Sequence, residues 1–155
     1  MTYSDEFFVI DPLDLPPQVE EQPPRLFTYR DYQDECIQAV ESAWPEFKRL
    51  LIVMATGGGK TVIFARLAQI EVARGGRVLI LAHTEELLDQ ATDKLAKSTG
   101  LPADKEKAEY RASIRAPIVV GSVQTMCREA RLNSWNPKHF TLIIVDEAHR
   151  TLAVS

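Results

Sequence analysis

Leu50-Leu51-Ile52-Val53-Met54-Ala55-Thr56-Gly57-Gly58-Gly59-Lys60-Thr61 is the stretch that decides the fold. Leu50 to Ala55 is a short, continuous apolar run bounded by turn signals, which predicts a buried parallel strand. Three glycines follow, then Thr61 to Arg74, a stretch free of Gly and Pro and rich in Ala, Leu, Ile and Val. That composition predicts a packed helix, which Gly75-Gly76 ends. A glycine turn between a strand and a helix lets backbone amides curl around an oxyanion, and the positive end of the helix adds to their pull. Thr56, Gly57, Gly58 and Gly59 are the expected cradle. Lys60 can place an ammonium on β- and γ-phosphates, and Thr61 can offer its hydroxyl to Mg²⁺. The strict phosphate-loop pattern wants a glycine where Met54 stands.

Working outward, Thr141-Leu142-Ile143-Ile144-Val145 predicts another buried strand, and Asp146-Glu147-Ala148-His149 follows it directly. Burying the strand leaves two adjacent carboxylates at its tip. Asp146 is the candidate metal holder, and Glu147 the candidate base for an attacking water. The 86 residues from Lys60 to Asp146 leave room for two or more crossover units of roughly 30 residues each.

Between and around these motifs, Tyr32, Cys36, Ile37, Val40, Ala43 and Trp44 recur at helical spacing, and Pro45 stops that helix. Arg77 to His83 predicts a second strand. Thr84 fits an N-cap for a helix with the stripe Leu87, Leu88, Ala91 and Leu95, closed by Gly100-Leu101-Pro102. Residues 103–116 are polar and basic and give no assignable pattern. Ile118 to Gly121 predicts a strand, Ser122 to Leu132 a helix, and Asn133 to Lys138 a loop. Trp44, Phe47 and Phe64 are expected in the core. Strand and helix alternate, so the expected class is α/β: a parallel sheet with helices on both faces and its site at the carboxyl ends of the strands.

Composition narrows the class further. The chain has 155 residues, 18 Lys+Arg against 22 Asp+Glu, and two cysteines, Cys36 and Cys127, without metal or disulfide-framework spacing. His83 and His139 have no partners at ligand spacing. No apolar run approaches the roughly 20 residues of a membrane helix. Asp5 and Glu6 stand where a signal peptide carries base, so a cytoplasmic protein is expected. Residues 1–24 hold six acids, no base and five of the nine prolines, which reads as an extended acidic tail. All 18 bases lie after it, so charge near a site there can still suit an anionic partner.

From roughly Thr28 to Arg150 the sequence resembles the first RecA-like P-loop NTPase motor domain of superfamily 2 DEAH-box helicases and translocases. It is most similar to the branch of type I and type III restriction subunits and UvrB-like proteins. Gly57 to Thr61 looks like motif I, and Asp146 to His149 like motif II. Arg30-Asp31-Tyr32-Gln33 resembles the adenine-reading motif, with Asp31 replacing a proline. By that resemblance Arg30 would stack on adenine and Gln33 would bond its edge. Ala82 to Gln90 resembles motif Ia, with Thr84 in the place of an arginine, and Val120 to Met126 resembles the Ser-x-Gln-Thr segment. These imply weak nucleic-acid contacts at Thr84 and Thr125; His149 would couple nucleotide state to the rest of the motor.

The resemblance implies an ATP hydrolase using Mg²⁺, with nucleic acid as partner, DNA ahead of RNA, and no membrane. The domain reading is an acidic tail over 1–24 and an incomplete helicase ATP-binding domain over 25–155. The chain stops six residues after His149, so a second RecA-like domain is expected elsewhere in the parent. This stretch alone is expected to bind nucleotide weakly, hydrolyse it poorly and unwind nothing. The competing readings are a double-strand translocase without unwinding, and a non-catalytic nucleotide-binding module.

Overall fold

Among the described residues four short strands pair in parallel, three of them apolar: β1 (Val78–Ala82), β2 (Ala103–Glu106, the polar one), β3 (Ile118–Ser122) and β4 (Leu142–Val145). Their order in the sheet is β2-β3-β1-β4. The computed structural model describes residues 28–55, 57–82 and 88–148. Val78 to Leu81 face Leu142 to Val145 on one side, and Val78 to Ala82 face Ile118 to Ser122 on the other. Because every strand runs the same way, Ala82, Glu106, Ser122 and Val145 end on one edge. The Asp146 amide extends the ladder one step, donating to the Leu81 carbonyl at 3.0 Å.

Strand residues alternate between the two faces. Val78, Ile80 and Ala82, with Ile118, Val120, Leu142 and Ile144, face the main core. That core is closed by three helices, α1 (Asp31–Ala43), α2 (Lys60–Ala73) and α3 (Leu88–Thr99). α2 is buried from Ile63 to Glu71 except for Phe64, so it runs through the centre of this layer. Burying a side chain such as Ile63 or Ile70 contributes about 1.5–3 kcal/mol. The helix ends as a glycine should end it: Gly75 takes φ +85°, and the Gly76 amide returns to the Glu71 carbonyl at 3.0 Å. Leu79 and Val119 face the other way, onto Ala112, Ala116 and Met126 of α4 (Val123–Met126), with Trp135 and Phe140 alongside. No helix among the described residues is long and apolar enough to cross a membrane.

The structure corrects four expectations. Leu50 to Ala55 is not a sheet strand. Ile52 and Met54 pack on the core, but Leu51 and Val53 are 79% and 86% exposed. A continuous apolar run predicts cover on both sides, and among the described residues only one side has it. The helix expected over Ser122 to Leu132 is two short ones, α4 and α5 (Glu129–Leu132). Arg128 between them is extended, with ψ 126°, which lets Arg131 turn back to Glu106. Phe47 is 56% exposed rather than core. Tyr32, placed in the apolar stripe of α1, is 40% exposed because its hydroxyl has other work. The unassigned stretch 103–116 holds β2 and a tight hairpin. The tail over 1–24, Thr56, Thr84 and His149 lie outside the described residues.

Candidate functional site

The glycine-rich turn is shaped by its neighbours in sequence and in space. Gly57 takes φ +80° and Gly59 takes φ +83°, a region where a β-carbon is strained. Gly58 closes the turn, its amide donating to the Ala55 carbonyl at 3.1 Å. A β-carbon on Gly58 would lie 2.6 Å from Met54 Cγ, so the methionine at the departing pattern position fills space against the loop. Gly59 is the N-cap of α2, and its carbonyl accepts from Val62 at 2.9 Å. Lys60 and Thr61 are therefore the first two residues of a helix whose leading amides have no partner within the helix.

α1 holds the loop from the other side. Gln33 is buried, and its Oε1 accepts the Arg30 amide at 3.0 Å while its Nε2 donates to the Gly58 carbonyl at 3.2 Å. Tyr32 Oη donates to the same carbonyl at 2.9 Å and accepts from Arg30 Nη1 at 3.1 Å. Arg30, Tyr32 and Gln33 thus form one network on the loop. A β-carbon at Gly59 would lie 2.3 Å from Gln33 Nε2, so the close approach of α1 demands glycine there. Sequence reasoning named Arg30 and Gln33 but missed Tyr32. Its helical spacing marked it as core, and the signal available was its place beside Gln33 in the same tetrad.

The acidic pair comes to meet this loop. Lys60 Nζ lies 3.4 Å from Glu147 Oε1, two side chains 87 residues apart in sequence and each about one-third exposed. Such a partly exposed pair is worth up to about 1 kcal/mol. Glu147 has φ +54°, a left-handed backbone that is uncommon for a non-glycine residue, and its amide donates to Asp146 Oδ1 at 3.0 Å. A carboxylate offers two oxygens and about four acceptor positions, so Asp146 keeps capacity for a cation.

Thr125 is placed differently from expectation. It is fully buried, and its amide donates to Ser122 Oγ at 3.0 Å as the N-cap bond of α4. Its side chain does not face the surface, so a strand-backbone contact there is not presented. Sequence reasoning also missed Glu106 and Arg131, an ion pair with Glu106 only 1% exposed. Alternating charges over 104–107 gave no sign that one carboxylate turns inward.

Comparison with known proteins gives this edge a context. Residues 26–155 match the family model described as type III restriction enzyme, res subunit. The chain is similar to the proposed ATP-dependent helicase IRC3 of Saccharomyces cerevisiae, 40% identical over 136 residues, covering 81% of this chain and 19% of that protein. It is 32% identical over 116 residues to a protein of Methanocaldococcus jannaschii named as a proposed ATP-dependent RNA helicase, covering 67% of this chain and 15% of that one. It is 28% identical over 139 residues to the ATP-dependent DNA helicase mph1 of Aspergillus niger, covering 83% and 12%. The chain therefore spans about a fifth of these relatives' length or less. Matched over 26–155, the chain belongs to the type III restriction enzyme res-subunit family, with a RecA-like P-loop fold.

Proposed function

We propose that this chain is the nucleotide-handling part of an ATP-dependent helicase acting on nucleic acid, DNA in preference to RNA. The observation that carries the reading is the 3.4 Å approach of Lys60 to Glu147, which gathers the glycine loop and the acidic pair around one small volume. In this reading the amides of Gly57 to Lys60 and the α2 N-terminus receive the phosphates, with Thr56 completing the cradle. Lys60 exchanges Glu147 for the β- and γ-phosphate oxygens. Glu147, released from that pair, takes a proton from the attacking water as the β–γ bridging bond breaks. Thr61 and Asp146 would hold Mg²⁺, which when bound offsets charge on the phosphate oxygens. Arg30 and Gln33 would meet adenine, with Tyr32 keeping the loop beside them. His149 would carry the coupling role.

The domain proposal is unchanged: an acidic tail over 1–24 and one incomplete motor domain over 25–155, with a second RecA-like domain in the parent. For location we propose the cytoplasm, on the acid-rich composition of residues 1–24; imaging a fluorescent fusion of the full-length gene product tests it. A double-strand translocase is the second reading, favoured by the restriction-subunit family match. Strand displacement on a forked duplex separates the two. Phosphate release from ATP by the full-length gene product, with and without single-stranded DNA or RNA, tests the main proposal. Stimulation by nucleic acid, abolished in Lys60→Ala, is the expected result. Wild-type turnover in Lys60→Ala contradicts it.

A further inference from the structure

We propose that the hairpin following β2 is a second contact on this edge, a site for single-stranded nucleic acid in which Tyr110 takes a base and Lys105 and Lys107 take phosphate. The proposal rests on the motor reading above. Lys107 and Tyr110 exchange both backbone bonds at 3.0 Å across a two-residue turn, Ala108-Glu109. Tyr110 is 46% exposed, with Lys105 Nζ 5.9 Å from its ring centroid. Asp89 bonds Lys105 at 2.7 Å and Lys107 at 3.3 Å, so one carboxylate positions two ammoniums, with Asp93 also near Lys105 and Glu109 in the turn itself.

The hairpin is held with unusual firmness for an exposed loop. Glu106, 1% exposed at the end of β2, accepts the Ala112 amide at 2.7 Å and the Arg131 guanidinium. Arg131 Nη2 donates to the Ala108 carbonyl at 2.6 Å, and Asp104 Oδ2 accepts the Ser113 amide at 2.9 Å. A buried charge is thus invested in fixing a turn whose outward features are an aromatic face and two cations. ATP is not what they serve. Among the described residues β2 and β4 are the two edge strands, three spacings of about 4.8 Å apart, so the hairpin lies on the order of 15 Å from the Lys60–Glu147 site. Both lie at the carboxyl ends of the strands, so a polyanion running along that edge could meet both. An open aromatic face stacks on a base, and duplex bases are already stacked, so the chemistry favours a single strand.

The test is titration of a fluorescent oligothymidylate of about 20 nucleotides, and of a duplex of equal length, with the full-length gene product. Tyr110→Ala is expected to weaken single-strand binding by roughly five- to 150-fold, and Tyr110→Phe to restore it. Lys105→Ala and Lys107→Ala should each lower the salt slope by about 0.7. Single-strand affinity unchanged in Tyr110→Ala, or an equal loss on duplex, overturns the proposal while leaving the motor reading standing. Wild type that binds neither probe overturns the motor reading itself, and the hairpin site with it. Should Tyr110→Ala fail to fold, photocrosslinking of a 5-iodouracil oligonucleotide to the wild type decides: attachment at Tyr110 supports the site, and attachment only elsewhere refutes it.

Discussion

Gly59 is where backbone conformation and packing impose the same residue. It takes φ +83°, and Gln33 Nε2 occupies the space a methyl group would need. Gly59→Ala is therefore expected to destabilise by more than the ~1–2 kcal/mol of the left-handed backbone alone. Adding Gln33→Ala should recover the excess but not the backbone part. Urea unfolding of the two variants measures both. Glu106 makes a different case. It could be read only as one charge among many in 103–107, because nothing in a sequence of alternating charges says which one turns inward. Glu106→Gln leaves Arg131 facing a neutral amide in a nearly closed setting, and breaking such a pair costs about 3–5 kcal/mol. A shift of the urea midpoint small enough to mean less than about 1 kcal/mol would show that the pair is only superficial.

Among the elements, those with strong periodicity were legible: α1 from its three-and-four spacing, α2 from the absence of Gly and Pro, β1, β3 and β4 from their apolar runs. The failures have physical causes. Leu50 to Ala55 carries the same apolar signal as β1, but pairing depends on a neighbour that local sequence cannot supply. β2, Ala-Asp-Lys-Glu, has almost no apolar content, because an edge strand needs only one covered side. The break between α4 and α5 has no Gly or Pro to announce it; the reach of Arg131 to Glu106 accompanies it.

The loop before β4 carries its own prediction. Trp135, His139 and Phe140 pack with ring centroids 4.8–5.0 Å apart. Trp135 Nε1 and His139 Nε2 are buried there without a hydrogen-bond partner among the described residues. Burial, and then the nearby Arg77 charge, hold the His139 pKa below its ordinary value of 6.5. The unfolded chain therefore takes the proton first as pH falls. The stability His139 contributes is complete above about pH 6.5 and declines as pH drops through the folded-state value. Urea midpoints at pH 7.5 and 5.5 should fall further for wild type than for His139→Phe. An equal fall in both would refute the assignment.

At the scale of the molecule, the parallel sheet does one thing for function: it ends every strand on one edge. The glycine loop, the acidic pair and the hairpin of Tyr110 come to that edge from distant parts of the sequence. Loop and acids were legible because each is a short motif of restricted composition, a glycine run before Lys60-Thr61 and an acid pair after an apolar strand. Their approach was an expectation from topology, and the Lys60–Glu147 distance is the structural counterpart of it. The support given by Tyr32 and Gln33 to the Gly58 carbonyl was not legible, since a hydroxyl on a helix face can point anywhere.

The account stands on Glu147 acting on water beside a triphosphate that Lys60 holds. The most direct test measures ATP affinity and phosphate release for Glu147→Gln in the full-length gene product, beside wild type. The account predicts affinity within about threefold of wild type and release slowed at least ~100-fold. Release at the wild-type rate, with ATP still bound, would contradict it.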